Sequence, residues 1–320
     1  MFEVKTKIRS IYSTSQLTVS KASLSWLLYH IYTLYLFTAS DFITVLWPQT
    51  FFAISVALNP SLNGGTQSDL SNILPRVPSA TLWIWLQLLV LDVSNQRRAD
   101  SVAEDALNKP WRPLPSGRLE RRHAKQLLLC CIPISYALSQ HLLGGGPETV
   151  ALFVLNWIYN DLGAAENWIL RNVLNALGIT SIGAGATAVV AGGSSPSASS
   201  ANGQWLLICA GILLTTIQAQ DLYDQEGDGK RGRRTMPLVL GDGVTRWLTA
   251  GPVVAWSFLV PGYWRVECLA GWLAAVLPGF VVAVRLLRCR DVVADRRTFK
   301  IWAVWMVGLY AMPAIKASWG

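Results

Sequence analysis

The feature that most constrains the fold of this 320-residue chain is the grouping of its apolar residues into blocks of about 18 to 24 residues. An α-helix of that length crosses the hydrocarbon core of a bilayer, which is about 30 Å thick. With 52% apolar and 14% charged residues, the chain has too little polar surface to cover a soluble globule of its size. The composition therefore excludes a disordered protein and a nucleic-acid-binding tail protein. It predicts an all-α polytopic membrane protein.

Hydropathy along the sequence predicts about nine transmembrane helices. We place them at 38–59, 79–97, 123–143, 148–163, 168–192, 204–222, 245–262, 266–288 and 298–316. Residues 22–37 are aromatic, apolar and too short for a span, so we expect an interfacial helix there. Segments 60–72 and 191–203 have the composition of solvent loops. This division gives an N-terminal cytosolic segment with its interfacial helix at 1–37, and one transmembrane domain at 38–320.

The basic residues check this assignment, because Lys and Arg concentrate in the cytosolic loops of membrane proteins. If the N-terminus is cytosolic, all of the 27 basic residues except Arg76, Arg265 and Lys316 fall on the cytosolic side. The formal net charge of +8 is therefore concentrated on one side of the membrane. A basic mouth of this kind suits an anionic ligand. The N-terminus lacks the pattern of a secretory signal peptide, so we expect the spans themselves to direct the chain to the membrane.

Of two acidic clusters on the cytosolic side, the second follows the sixth predicted span. Its residues Asp221, Asp224 and Asp228 fall within roughly 60° of one another on a helix. Three carboxylates on one face repel each other, and a divalent cation relieves that repulsion. The basic run from Lys230 to Arg234 is placed to neutralise the rest of a diphosphate. Taken alone, the segment suits a solvated acidic helix end equally well.

The first acidic cluster follows the second predicted span. Asp100 and Glu104 are one helical turn apart, with Asn95 a turn earlier and Asp105 directly after Glu104. Prolines then end the helix and stiffen the following loop. That loop carries three basic residues, Lys109, Arg112 and Arg118. Two clusters of acidic and basic residues at one membrane mouth predict a site for a metal ion and a diphosphate.

At these clusters the sequence resembles the UbiA superfamily of intramembrane prenyltransferases. The second cluster is similar to the second Asp-rich motif of that family. It reads Asp-x-x-Asp-x-Glu-Gly-Asp at 221–228 and continues with Arg-Gly-x-Arg-Thr-x-Pro at 231–237. Arg-Pro-Leu-Pro-Ser-Gly at 112–117 is similar to the loop after its first motif. The resemblance covers most of the chain. It implies helices around a central cavity, Mg²⁺ as the cofactor, and an isoprenyl diphosphate as substrate with its tail inside the bundle.

The first motif departs from the family pattern. When Asn95 is aligned with the leading Asn of that motif, the usual carboxylates fall at Gln96, Ala99 and Ala103, none of which is acidic. The acids stand later in the chain, so the resemblance leaves open which of them bind metal. This altered first motif resembles that of a fungal branch that contains UbiA-type terpene cyclases. It reads Asn-Gln, followed by Glu-Asp and then by Asn-Lys-Pro-Trp-Arg-Pro.

The residues and the resemblance together assign three groups of site residues. The expected metal ligands are Asp221, Asp224, Asp228, Asp100, Glu104 and Asp105. The expected catalytic residues are Asp224, Asp228, Glu104 and Asp105. The expected diphosphate-binding residues are Asn95, Lys109, Arg112, Arg171, Lys230 and Arg234. Outside these groups, Asp41 near the start of the first span either faces the bundle or caps a helix.

The expected reaction is metal-assisted ionisation of the diphosphate, followed by capture of the allylic cation. The substrate's own double bond captures the cation in a terpene cyclase, whereas a second molecule such as an aromatic acceptor does so in a prenyltransferase. The sequence shows no acceptor site, so the branch resemblance alone favours a cyclase of farnesyl diphosphate in secondary metabolism.

A carrier or lipid-binding protein is disfavoured, because it would place its polar residues at the bilayer midplane rather than at one mouth. We expect the diphosphate and the bilayer as partners, with no nucleic acid and no obligate protein partner. The expected location is the endoplasmic reticulum membrane, with the active-site mouth facing the cytosol.

Overall fold

A computed structural model describes residues 23–63, 69–192 and 201–319. Within these ranges the structure is all-helical, without a β-strand and with one isolated bridge between Asn167 and Arg234. The predicted all-α fold is therefore confirmed. Predictions made for 1–22, and for 64–68 and 193–200 in the two loops, concern stretches outside the described residues.

The main helices are numbered in chain order. They are α1 Ser23–Thr38, α2 Phe42–Leu58, α3 Val77–Gln96, α4 Ala99–Asn108, α5 Arg121–Leu143, α6 Gly146–Asn160, α7 Trp168–Ala191, α8 Ala201–Gln220, α9 Gln225–Arg231, α10 Asp242–Tyr263, α11 Leu269–Arg288, α12 Val292–Tyr310 and α13 Met312–Trp319. Side-chain caps fix some of the starts. Asn167 accepts a hydrogen bond from the backbone N–H of Ile169 at 3.0 Å before α7, and Asp291 accepts one from Ala294 at 2.9 Å before α12.

Each predicted span overlaps a long helix, namely α2, α3, α5, α6, α7, α8, α10, α11 or α12. Among the described residues, five helices are long and apolar enough to cross a bilayer. The number rises to at most seven if the bent pairs α1 with α2 and α8 with α9 each form one span. The predicted count of nine is therefore not confirmed. One reason is α6, which has 15 residues against the roughly 20 that a perpendicular span needs.

The outer surface of the bundle is apolar. Large hydrophobic side chains are exposed on several helices, including Leu129, Leu142, Trp247, Leu269 and Phe280. A lipid environment accommodates such a surface, whereas a soluble protein rarely exposes so much apolar area. The segment predicted as interfacial does form a helix, α1, and its position at the interface stays a prediction.

Close packing holds the helices around the interior. The Trp83 side chain on α3 is fully buried and lies directly against Gly185 on α7, where an added Cβ would overlap the indole ring. Helices in lipid associate through such van der Waals contacts, and small residues allow the close approach. A second core joins α8, α10, α11 and α12 around Trp205, Trp302 and Trp305. Between these cores lies the cavity that contains the candidate site.

Candidate active site

A cavity of about 510 Å³ lies inside the bundle, within the range of small-molecule binding sites. Its lining changes from polar to apolar along α3, α6 and α7. From the polar to the apolar end, the lining residues are Asn95, Asp92, Leu91 and Leu88 on α3, Asn160, Asn156, Leu155 and Leu152 on α6, and Arg171, Asn175, Ile179 and Ile182 on α7. The cavity therefore offers one end to a charged group and the other to a hydrocarbon.

The second acidic cluster lies at a sharp bend. α8 and α9 are inclined by 89°, and Asp221 and Asp224 lie in the turn between them. The backbone N–H of Asp221 bonds to the Gln218 carbonyl at 3.0 Å, and that of Asp224 to the Asp221 carbonyl at 3.4 Å. These tight i to i+3 turns replace the α-helical pattern. The prediction that Asp221, Asp224 and Asp228 share one helix face is therefore wrong.

One member of this cluster binds an arginine of the cavity wall. Arg171 Nη2 and Nε donate to Asp221 Oδ1 at 3.0 and 3.1 Å, and Arg171 Nη1 donates to the Tyr159 hydroxyl at 2.5 Å. Arg171 lines the cavity, whereas Asp221 is completely buried behind it. Charge-assisted hydrogen bonds of this kind fix a guanidinium in orientation. Asp221 therefore holds Arg171 at the polar end of the cavity.

Two further arginines of the wall are held in the same way. Arg112 Nη1 donates to both carboxylate oxygens of Asp105, at 2.8 and 3.0 Å. Arg233 Nη1 donates to Asp228 Oδ1 at 3.0 Å and to Glu104 Oε1 at 3.1 Å. Arg112 and Arg233 line the cavity, and Asp105 and Asp228 are buried beside them. The polar end thus carries three guanidinium groups whose positions are set by aspartates.

The two acidic clusters are in direct contact through α4 and α9. A Cβ on Gly227 of α9 would overlap the Asn108 carboxamide and crowd the Glu104 side chain, both on α4. Glycine therefore permits this approach without displacing the Asn108 side chain. The family-like Glu-Gly-Asp of the second cluster is therefore also the point at which the first cluster packs on it.

Arginines neutralise the first cluster. Glu104 accepts hydrogen bonds from Arg233 on Oε1 and from Arg231 on Oε2, the latter at 2.9 Å. Burial acts to raise the pKa of Glu104, but the charges of Arg233 and Arg231 outweigh it, so this pKa lies below its usual range. Asp100, whose side chain is 33% exposed, forms ion pairs with Arg231 at 3.0 Å and Arg98 at 3.3 Å.

The second cluster instead retains carboxylate oxygens without a partner. Asp221 Oδ2, Asp224 Oδ1 and Asp228 Oδ2 are buried and make no hydrogen bond. The nearest ion-pair partner of Asp224 is Lys109, at 4.0 Å. Unpaired buried oxygens are costly, and a hard divalent cation with oxygen ligands would satisfy them.

In the described ranges, no three His, Cys, Asp or Glu side chains form a ready-made metal cage. Mg²⁺ does not require one, because it usually keeps one or two carboxylates and completes its octahedron with phosphate oxygens and water. The donor set of the second cluster therefore fits a Mg²⁺ ion that is bound together with a phosphorylated substrate.

Comparison with known proteins identifies the family. The UbiA prenyltransferase family model matches residues 80–305, more than half of the chain. The chain belongs to this family. It is 30% identical over 282 residues to somaliensene A/B synthase of Streptomyces somaliensis, covering 85% of this chain and 88% of that protein. It is 28% identical over 281 residues to fumagillin beta-trans-bergamotene synthase of Aspergillus fumigatus, covering 88% and 91%.

A solved UbiA homolog from Archaeoglobus fulgidus, bound to GPP and Mg²⁺, superposes with a TM-score of 0.58 over 88% of this chain and 99% of that one. The two sequences are 14% identical, so this likeness concerns the fold. Family membership and the apolar helices together make the chain an integral membrane protein.

Some of the predicted site residues line the cavity. The predicted residues that line it are Asn95, Glu104, Lys109, Arg112, Arg171 and Asp224. The predicted metal ligands Asp105, Asp221 and Asp228 lie behind that lining and bind its arginines. Asp100 lies outside the lining.

Two predicted diphosphate-binding residues lie away from the cavity. Lys230 is exposed and pairs with Glu226 at 2.8 Å. Arg234 is exposed, and its backbone N–H bonds to the Glu166 carbonyl at 2.9 Å. Neither side chain lines the cavity, so the structure does not place them with the basic residues of its polar end.

Arg231 and Arg233, which we did not assign from the sequence, face inward instead. Gly232 ends α9 with a left-handed φ of +78°, and the Arg233 N–H then bonds to the Asp228 carbonyl at 2.9 Å. This glycine turn reverses the chain, so Arg233 returns to the cavity. The glycine within the basic run was the signal that could have predicted the reversal.

Proposed function

We propose that this UbiA protein is a membrane-embedded, Mg²⁺-dependent terpene cyclase that ionises a linear isoprenyl diphosphate, with farnesyl diphosphate as the substrate. The observation that carries the proposal is the cavity itself. One enclosure joins an end lined by Arg112, Arg171 and Arg233 to an end lined by apolar side chains. That division matches a molecule with a diphosphate head and a hydrocarbon tail.

The basic residues of the polar end would stabilise the leaving group. Ionisation breaks the bond between the allylic carbon and oxygen, and the electron pair leaves with the diphosphate. The three guanidinium groups and Lys109 are already in place where that negative charge increases. Their orientation by buried aspartates avoids reorganisation during the reaction, which is how preorganised charges lower a barrier.

Mg²⁺ would be held by the unpaired oxygens of Asp221, Asp224 and Asp228, of which the side chain of Asp224 lines the cavity. Bound there, it would add positive charge at the diphosphate oxygens. The Asp224 side chain makes no helix-capping hydrogen bond, although it precedes α9, so it is available for this role.

The apolar end would protect the allylic cation. Leu88, Leu152 and Ile182 line this part of the cavity and would exclude water from it. Phe299 and Trp302 also line the cavity, and their rings stack with centroids 5.1 Å apart. Aromatic faces attract a cation by about 0.5 to 2 kcal/mol each. In a cyclase, an internal double bond would then attack the cation, and loss of a proton from an adjacent carbon would give a neutral hydrocarbon.

The names of similar proteins support cyclisation without excluding transfer. Both relatives described above are synthases of terpenes by name. A polyprenyl transferase of Hericium erinaceus is also similar, with 25% identity over 215 residues. Prenyl transfer to a small acceptor is therefore the alternative that an experiment must separate.

We propose, further, that residues 38–320 form one transmembrane domain in the endoplasmic reticulum membrane, with the polar end facing the cytosol. The distribution of Lys and Arg supports this orientation, because the basic residues of the polar end belong to segments assigned to the cytosolic side.

The decisive experiment supplies isolated membranes with Mg²⁺ and farnesyl diphosphate in the absence of an acceptor, followed by headspace analysis for hydrocarbons. Only a cyclase has a cavity that folds the chain with an internal double bond near the cation. We expect a cyclic hydrocarbon that is absent with the Asp224→Ala variant or with excess EDTA. Product formation from any linear diphosphate only after a phenolic acceptor is added would establish prenyl transfer instead.

A further inference from the structure

Asp224 differs from the other two aspartates of the second cluster in how it is held. Asp221 and Asp228 each accept from an arginine on one carboxylate oxygen. Asp224 Oδ1 has no hydrogen-bond partner among the described residues, and the ion pair of Asp224 with Lys109 is 4.0 Å long. The direction in which the Asp224 carboxylate points therefore depends on the backbone turn that carries it.

The residue after Asp224 braces that turn. Gln225 is the first residue of α9, and its side chain is half-buried. Its Nε2 donates to the Leu222 carbonyl at 3.0 Å, which lies within the turn, and to Asp242 Oδ1 at 3.0 Å. These two bonds use both N–H donors of the amide. One side chain thus ties the turn together and fastens it to Asp242, the first residue of α10.

A buried arginine holds Asp242. Arg246 lies one helical turn later on α10 and is 1% exposed, and its Nε donates to Asp242 Oδ2 at 2.7 Å. Its Nη1 and Nη2 donate to the two carboxylate oxygens of Asp295, in the first turn of α12, at 2.8 and 2.7 Å. Nη1 also donates to two carbonyls at the end of α11, at 3.0 and 3.1 Å. Arg246 therefore joins the ends of α10, α11 and α12 into one rigid support for Asp242.

The same support reaches the residue before Asp224. The guanidinium carbon of Arg296 on α12 lies 5.5 Å from the centre of the Tyr223 ring, within the range of a cation–π contact. The Phe299 ring, also on α12, has its centroid 5.9 Å from that of Tyr223. Asp224 thus lies between two residues that are both fastened to the helices joined by Arg246.

We propose that Gln225 and Asp242, anchored by Arg246, are positioning residues for Asp224. None of the three lines the cavity, so they act through the turn and not on a substrate. They would fix Asp224 as the arginines of the cavity wall fix Asp221 and Asp228. Mg²⁺ demands near-ideal octahedral geometry, so residues that orient a ligand raise its affinity for the ion. Cation binding by Asp224 rests on the proposed function, whereas the bracing of its turn does not.

The test applies two measurements to the purified, detergent-solubilised Gln225→Ala variant without substrate. The first is hydrogen–deuterium exchange of the peptide that covers 221–228, read by mass spectrometry. The second is Mn²⁺ affinity, read by electron paramagnetic resonance. We expect exchange to be roughly 10-fold faster, because two hydrogen bonds that brace the turn are lost. We expect Mn²⁺ to bind roughly 10- to 100-fold more weakly, the usual effect of losing a partner behind a metal ligand.

The matched control is Gln126→Ala, an exposed glutamine on α5 that does not line the cavity. It should show wild-type exchange and Mn²⁺ affinity. Size-exclusion chromatography and thermal unfolding establish that each variant is folded, and exchange in the α7 peptide that contains Arg171 should stay at the wild-type rate. That comparison separates a local effect on the turn from a general loosening of the bundle.

A reciprocal exchange of groups tests the contact itself. Gln225→Glu places a second carboxylate against Asp242, and the repulsion should speed exchange in 221–228. The added negative charge alone would strengthen Mn²⁺ binding, so weaker binding in this variant marks a displaced turn. Adding Asp242→Asn lets the new amide donate to the glutamate while its oxygen accepts from Arg246. The double variant should therefore recover near-wild-type exchange.

A double variant that exchanges as fast as Gln225→Glu would overturn the proposal. In a wild type that binds Mn²⁺, unchanged affinity of folded Gln225→Ala would overturn it as well. A wild type that binds no Mn²⁺ would refute cation binding by the second cluster, which belongs to the proposed function. The exchange rates would then decide the bracing by themselves, with faster exchange in Gln225→Ala supporting it and an unchanged rate overturning it.

Discussion

The two acidic clusters resemble each other in the sequence but differ in their partners. In the first cluster, arginines occupy both oxygens of Glu104 and Asp105, and Asp100 is paired as well. In the second cluster, Asp221 and Asp228 each accept from an arginine on one carboxylate oxygen, and the other oxygen is unpaired. The partners, rather than the number of acids, decide what a cluster can bind.

This difference assigns the clusters separate roles. A carboxylate whose two oxygens each accept from a guanidinium group orients those groups and has only about two of its four lone-pair sites left for a metal ion. A carboxylate with one buried, unpaired oxygen can hold an arginine and a cation at the same time. We therefore propose that the first cluster mainly positions basic residues, and that the second combines that task with cation binding.

The largest expected effect follows from Asp224, which faces the cavity and has no arginine partner. The Asp224→Asn variant should lose at least roughly 10²-fold in turnover, since it removes charge at the site where the leaving group is stabilised. Hydrocarbon formation at saturating Mg²⁺ is the measurement. Thermal unfolding should change little, because the substitution breaks no short ion pair.

Asp161→Asn is the control for this variant, because Asp161 forms a 2.5 Å pair with Arg97 and does not line the cavity. We expect its turnover to match the wild type. Undiminished turnover of well-folded Asp224→Asn, or turnover that persists in excess EDTA, would contradict cation binding by the second cluster.

The sequence predicts the helices and the clusters better than it predicts the geometry between them. Blocks of apolar residues specify helices because a bilayer leaves the backbone few alternatives. Whether Asp221 and Asp228 lie on one helix depends on a bend at the end of α8, which hydropathy does not encode. The position of Asp92 in the cavity lining was missed for a related reason, since a single acid within an apolar run has no local partner that marks it.

A smaller, graded effect distinguishes the members of the first cluster. Asp105→Asn leaves Arg112 buried with one charge unpaired, and breaking a buried pair costs roughly 3 to 5 kcal/mol of stability. Glu104→Gln removes the charged partner that Arg231 and Arg233 share, so turnover should fall by up to about 10²-fold through misplacement of Arg233 in the cavity. Asp100→Asn should cost less than about 1 kcal/mol, because that carboxylate is partly exposed.

Unfolding midpoints and turnover rates of the three variants, measured in the same detergent, give the ranking. Mn²⁺ stoichiometry separates positioning from metal binding, because none of the three substitutions should remove an ion. A ranking with Asp100→Asn as the most damaging change, or the loss of one ion in Glu104→Gln, would return the first cluster to the role of metal ligand.

The smallest expected effect concerns the basic run around Gly232, in which Arg231 and Arg233 face inward and Lys230 and Arg234 are exposed. Lys230→Ala and Arg234→Ala should change stability by no more than about 0.5 kcal/mol and leave the KM for the diphosphate near the wild-type value, because both side chains are exposed and outside the cavity lining. Arg233→Gln is the matched inward variant, and it should raise that KM and lower turnover, since it removes a guanidinium from the polar end. Steady-state kinetics over a range of diphosphate concentrations compares the three. A KM increase in Lys230→Ala equal to that of Arg233→Gln would mean that the exposed side of α9 also contacts the diphosphate.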